Sequence, residues 1–504
     1  MTSPPITPVD DLHTITPGLR QAFEAHRYDA DGVLDLLGVD AHAALGRAEP
    51  VPVRRACRDA GELGTLIRLL LLNDSCPRAE VAAALGSVDI DAAVAVGMLH
   101  ADGDDVRAAI DVRPLDSGHG TRWLFSDLDG AMRPTTITPD HVLGVGQASL
   151  SLLRATVAPA GRVLDLGTGC GVQAVHALSS ADQVTATDIT ARSLAMTRAG
   201  LAINDIAPDR YDLRSGPWFS PAGSQRFDRI VANPPFVVGP PTVTHSYRDS
   251  GLDLDGASEL VVSGAADHLA DGGTACMLAS WVITGDDWRD RVASWIPDHG
   301  VDAWVVQRDV ADPALYVGTW LRDAGYDPRS GPGAALADDW LAHFERSGVE
   351  GIGFGFVFLR STGEPTDLLA EELSHALDDP LGPEASEYLD RVAWLRTADL
   401  EASRFRAADG VALEQISTLS AGSAADGLGW GEVVARLHRA DGPRWTHEID
   451  SWGRSLVAGL RADGLPLGDV TALLAAATGE EPEPGAIEGF VAALVRHGLL
   501  LPAR

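Results

Sequence analysis

The sequence predicts an α/β protein centred on a mostly parallel sheet, and three stretches carry that expectation. Val163 to Gly171 is an apolar run that stops at a glycine-rich turn before a helical pattern. Gln183 to Asp188 is a second run ending in a carboxylate, and a third, Phe227 to Ala232, ends in Asn233-Pro234-Pro235-Phe236. Short apolar runs that alternate with helical patterns mark βαβ units, which wind right-handed.

Within the first stretch, Val163-Leu164-Asp165-Leu166 reads as a strand, Gly167-Thr168-Gly169-Cys170-Gly171 as the turn and Val172 to Leu178 as a helix. A glycine, lacking Cβ, permits positive φ and lets a ligand approach the backbone. Dinucleotide folds place a similar turn after their first strand, so the turn alone leaves the ligand open. Asp188 stands seventeen residues beyond Gly171, at the end of a strand, where it can accept hydrogen bonds from ribose hydroxyls. Taken alone, Asn-Pro-Pro is a turn sequence; following Asp165 and Asp188 at these spacings, it points to chemistry.

On these residues the chain resembles the class I S-adenosylmethionine (SAM)-dependent methyltransferases, in the group with Asn-Pro-Pro-(Phe/Tyr) after the fourth strand, over residues 135 to 360 or so. The resemblance implies a seven-stranded Rossmann-like domain and SAM as cofactor. It further implies that Asp165, Gly167, Thr168, Gly169 and Gly171 surround the methionine part of SAM, that Asp188 holds the ribose, that Asn233 also borders the cofactor, and that Asn233, Pro234, Pro235 and Phe236 present an acceptor nitrogen. Such a transfer is an in-line displacement with a good leaving group, so positioning the nucleophile is the main task. The Asn233 side-chain oxygen and the Pro234 carbonyl could accept the two hydrogens of a planar –NH2 group and aim its lone pair, with Phe236 stacked on the acceptor.

At 504 residues the chain has room for about three domains, here 1–130, 131–363 and 364–504. Its net charge of −33 disfavours phosphate-backbone partners unless basic groups cluster. Cys57, Cys76, Cys170 and Cys276 show no metal spacing and are expected to be reduced and buried. Neither a signal segment nor a long apolar run is present, so a cytoplasmic protein without membrane or metal is expected.

In the N-terminal domain, helices from Pro17, over Leu63 to Leu72, through Ala79 to Leu85 and over Ile90 to Val96 precede two strands, Val106 to Val112 and Arg122 to Phe125. Helices followed by a hairpin give a winged-helix order. The Ile90 helix carries Asp89 and Asp91 and no basic residue, so duplex DNA is not an expected partner and a docking or packing role is. Thr138 to Gln147 then leads in as a loop and helix start that could close over the cofactor. His141 within it reads as structural, since the chemistry needs no strong base.

Further strands are expected at Tyr211 to Arg214, Thr274 to Leu278, Val301 to Arg308 and Gly353 to Leu359, the last two as a hairpin. Many members of the resembled family carry an acidic residue near Gly216 for adenine; here Trp218 or Phe219 and backbone groups would serve. The loop Val237 to Gly256 carries Tyr247 and Arg248 as candidate substrate contacts, or as residues that only pin the loop. Its opening and close are similar to release-factor glutamine methyltransferases, whereas Ser215 to Ser220 and the N-terminal domain look more like ribosomal-RNA guanine-N2 methyltransferases. Ala311 to Glu350, with Trp320, Tyr326, Trp340 and Phe344, reads as an insertion bordering the substrate entrance. Beyond Pro365, helices at Leu368 to Leu377, Ser451 to Leu460, Pro466 to Ala476 and Ile487 to Leu499 suggest a second helical, winged-helix-like domain, with Trp430 and Trp452 in its core.

The expected function is methyl transfer to a planar nitrogen of a macromolecule, first a glutamine amide of a translation protein. The alternative is adenine-N6 or guanine-N2 in RNA. A SAM-binding interaction module without turnover is the reading from another class, and an intact Asn233 argues against it.

Overall fold

The computed structural model describes residues 8–503 except 130–131, 133–137, 158–159, 244–247, 286, 374–379, 420–429, 481–482 and 484. The chain forms two compact units. One runs to Glu372 apart from Arg154–Val157, and those four residues belong with the second, which starts at Leu373.

The first unit is built on an eight-stranded sheet: β1 (Arg162–Leu166), β2 (Gln183–Asp188), β3 (Tyr211–Ser215), β4 (Phe227–Ala232), β5 (Leu269–Ile283), β6 (His299–Ala311), β7 (Gly351–Pro365) and β8 (Leu368–Glu372). Their order across the sheet is 8-6-7-5-4-1-2-3. β7 lies antiparallel to both β5 and β6, and the other pairs are parallel. Chain order reverses between β1 and β4, which opens a crevice at their carboxyl ends, where ligands of such sheets bind. Leu164, Ile230, Ala232 and Met277 are fully buried, as expected of central strands covered on both faces.

The sheet has one strand more than the seven expected. Leu368–Glu372 reads as helix from its Leu, Ala and Glu content, but those preferences are worth only tenths of a kcal/mol per residue. The open edge of β6 offers a full ladder instead, pairing Ala303 with Leu368 through to Gln307 with Glu372. Trp304 Nε1 also donates to Glu371 Oε1 at 2.7 Å. The remainder of that expected helix falls largely outside the described residues.

In the N-terminal region the run read as one strand, Val106 to Val112, is divided. Asp105–Ala108 pairs with Leu99–Asp102, and Asp111–Asp116 with Thr121–Ser126. The first hairpin follows the helices Arg78–Leu85 and Ile90–Ala95. The second docks on the eight-stranded sheet's helix α2 (Ala191–Ile203), which follows α1 (Val172–Ala177): the Trp123 amide donates to Asn204 Oδ1 at 3.1 Å, and Asn204 Nδ2 returns a bond to the Trp123 carbonyl at 2.8 Å.

The second unit is less helical than expected. Helices Ser451–Gly459, Leu467–Thr478 and Ala486–Arg496 stand where the periodicity put them, but Val411–Leu419, Trp430–Arg439 and Thr446–Ile449 form an antiparallel sheet. Val411–Leu419 is exposed along nearly its whole length, so no apolar-polar alternation marks it in the sequence. Trp452 is buried, whereas Trp430 is 64% exposed and is not a core residue.

Candidate functional site

At the carboxyl ends of β1, β2 and β4 lies a cavity of about 410 Å³, within the range of small-ligand sites. Asp165, Gly167, Thr168, Gly169, Asp188, Asn233, Pro234, Pro235, Phe236 and Arg248 all line it. Tyr247 lies outside the described residues. Gly171 is not among the lining residues. A Cβ there would sit 2.9 Å from Thr197 on α2 at φ +80°, so its smallness serves the packing of α1 on α2.

The turn after β1 hangs on β2, because the Gly167 and Thr168 amides both donate to the Thr187 carbonyl, at 3.0 and 2.8 Å. Gly167 and Gly169 have φ of +74° and +56° with no side chain close to where a Cβ would stand, so the backbone is open to the cavity. Asp165 Oδ2 accepts from Thr168 Oγ1 at 2.7 Å and from the Ala174 amide at 3.0 Å, tying the turn to α1. Burial pushes the Asp165 carboxyl up to about 6.

That displacement has a testable consequence. Between about pH 4 and pH 6 the folded chain holds a proton on Asp165 that the unfolded chain has released, so this group's contribution to stability falls as pH rises through that window. The loss amounts to about 3 kcal/mol once Asp165 is ionised. Urea unfolding should show Asp165→Asn gaining on wild type by roughly that amount from pH 4 to pH 7; a pH-independent difference would remove the assignment.

Asp188 uses both oxygens, Oδ2 on the Gly169 amide at 3.1 Å and Oδ1 on the Thr190 amide at 2.9 Å. A carboxylate offers about four lone-pair sites, so it retains capacity for hydroxyls. The exposed Ile189 and the half-buried Trp218 line the cavity beside it. Phe219 does not; it stacks on His268 with ring centroids 4.5 Å apart, leaving Trp218 as the aromatic available to a base.

On the acceptor side, Asn233 Nδ2 donates to Ser149 Oγ at 3.3 Å, and the Phe236 ring lies 5.4 Å from that of Phe354. Arg248 is buried; it donates to the Trp320 carbonyl at 2.8 Å and pairs with Asp249 at 3.2 Å, so it pins the loop and lines the cavity at once. The insertion between β6 and β7 holds the same loop, with the Val238 amide donating to the Tyr316 hydroxyl at 2.8 Å and His343 pairing with Asp253 at 2.9 Å.

Comparison with known proteins covers this site. The methyltransferase small domain family matches residues 144–283, and two families described only as domains of unknown function match 25–109 and 386–502. The ribosomal RNA small subunit methyltransferase C of Erwinia tasmaniensis is 34% identical over 133 residues, 26% of this chain and 34% of that protein. The release factor glutamine methyltransferase of Gloeobacter violaceus is 33% identical over 135 residues, 25% of this chain and 46% of its own length. That of Bordetella pertussis is 33% identical over 200 residues, which are 36% of this chain and 68% of the relative. The chain belongs to the SAM-dependent methyltransferases. It spans between a third and a half of the length of the first two relatives.

Residues of the site that sequence reasoning missed come from outside the motifs. Ser149 and Gln173 lie on helices flanking the turn, and Asp323 on the insertion; none has a local signature. The expected closing segment is in place, with His141, Val142, Leu143, Gly144 and Gly146 lining the cavity. It is moored through Asp127, which accepts from the Val142 amide at 2.8 Å and pairs with Arg192 of α2. His141 is buried 3.8 Å from Asp127, and burial lowers its pKa. All four cysteines are free and buried. Among the described residues, no His, Cys, Asp and Glu group could hold a metal ion, and no helix is long and apolar enough to cross a membrane.

Proposed function

We propose that the chain transfers a methyl group from SAM to a planar nitrogen of a macromolecule, first of all the side-chain amide of a glutamine in a translation protein, in the cytoplasm. The observation that carries the reading is that Asp165, the glycine turn, Asp188 and Asn233 to Phe236 share one cavity. SAM, when bound, supplies a methyl group on a sulfonium with a good leaving group. The open backbone at Gly167 and Gly169 suits its amino-acid arm, Asp188 its ribose hydroxyls and Trp218 its base. Asn233 Oδ1 and the Pro234 carbonyl accept the two hydrogens of the acceptor nitrogen and turn its lone pair towards the cofactor. Phe236 covers the flat face of the acceptor.

A protein acceptor is favoured over RNA by charge. Among the described lining residues stand four carboxylates, Asp165, Asp188, Asp249 and Asp323, against one arginine. That arginine, Arg248, already lies 3.2 Å from Asp249 and 3.7 Å from Asp323. A phosphate backbone entering here would meet net negative charge. The RNA reading rests on the ribosomal RNA methyltransferases among the relatives.

The test is transfer from tritiated SAM into an extract of a strain lacking the gene, followed by nuclease or protease. Label that survives nuclease and is lost to protease is expected; label lost to nuclease would move the substrate to RNA. On the protein-acceptor reading, the N-terminal region and the second unit dock the substrate protein.

A further inference from the structure

We propose that Ser149 is a positioning residue that holds the Asn233 side chain in place with its Oδ1 free for the acceptor, a role that rests on the methyl-transfer reading. Ser149 lies in the first turn of the helix Gln147–Ala155, and both it and Asn233 line the cavity. Its Oγ accepts from Asn233 Nδ2 at 3.3 Å. A carboxamide has one donating and one accepting end. With Nδ2 engaged by the serine, Oδ1 is the end left for the acceptor. That is the end the chemistry needs: a planar –NH2 presents two hydrogens, and an amide N–H facing them would oppose binding.

The serine is itself held in place. Gln173, buried on α1 directly behind the glycine turn, donates from Nε2 to the Ser149 carbonyl at 2.8 Å. Gln173 also lines the cavity. Two hydrogen bonds therefore connect the helix that opens at the cofactor turn to the amide that faces the acceptor. The contrast with Ser151 is informative, since that hydroxyl is used within its own helix, donating to the Ala148 carbonyl at 2.9 Å. Ser149 instead reaches a residue 84 positions away.

Wild type, Ser149→Ala, Ser149→Cys and Ser149→Thr are compared for transfer from tritiated SAM into the fraction that wild type labels, with SAM affinity measured by calorimetry. Ala and Cys remove a good acceptor while keeping the helix, and each is expected to lower kcat about tenfold, the worth of one hydrogen bond. SAM affinity stays within about twofold, and Thr, which keeps the hydroxyl, restores most of kcat. Wild-type kcat in Ala and Cys, a fall in SAM affinity that parallels kcat, or a Thr variant no better than Ala would each overturn the role. If wild type labels nothing, the methyl-transfer reading fails and this role with it. If wild type is active and Ser149→Ala equally so, Ser149 alone is removed.

Discussion

Asn233→Ala is expected to slow methyl transfer about a thousandfold while leaving SAM affinity within about twofold. The asymmetry follows from where Asn233 stands. It closes β4 at the acceptor end of the cavity, whereas the groups suited to the cofactor come from β1, β2 and the turns that follow them. Removing its amide leaves the cofactor's surroundings intact but deletes an acceptor for the hydrogens of the reacting nitrogen, an interaction that strengthens as that nitrogen pyramidalises. Losses of two to three orders of magnitude are usual when a preorganised polar group of this kind is removed. Single-turnover transfer and calorimetry on the same preparation check the prediction. Full activity in the variant would sink the role given to Asn233.

Asp188→Ala should behave in the opposite way, weakening SAM binding about a hundredfold with a much smaller effect on the rate at saturating SAM. Two losses combine here. The ribose loses a charged acceptor, and the Gly169 and Thr190 amides lose the oxygens that hold them at 3.1 and 2.9 Å. Hydrogen bonds to charged groups are worth about 1.5 to 3 kcal/mol each, so a change near 3 kcal/mol is a modest expectation for their combined removal. Asp188→Asn, which keeps an acceptor but not the charge, should fall between. Unchanged affinity in the Ala variant would take Asp188 out of the site.

Much of the sheet was legible because its central strands, β1, β2 and β4, are buried on both faces and so appear as apolar runs, each closed by a turn residue. Asp165, Asp188 and Asn233 could be read for the same reason: each stands at or within a residue of a strand's carboxyl end, and the crevice of a doubly wound sheet collects strand ends. What escaped was structure set by tertiary pairing. Leu368–Glu372 became a strand because β6 had a free edge. The exposed ribbon Val411–Leu419 has no buried face to pattern its sequence. The run Val106 to Val112 contains no glycine or proline to mark a break yet serves two hairpins. Within the site, Gly171 packs against Thr197 and does not line the cavity, and a glycine that admits a helix and one that admits a ligand look alike in sequence. Phe219 and Trp218 are neighbours in the chain and face different surroundings, one His268 and the other the cavity. Ser149 was silent because its partner is distant in sequence.

The most direct test is the chemical identity of the product. Wild-type protein is incubated with tritiated SAM and extract from a strain lacking the gene, and the labelled macromolecule is digested completely to monomers and separated. The account predicts label that co-elutes with a glutamine methylated on its side-chain nitrogen and that is absent when Asn233→Ala replaces wild type. Label recovered in a methylated nucleoside would contradict the protein acceptor, and label of either kind that persists undiminished in Asn233→Ala would contradict the site itself.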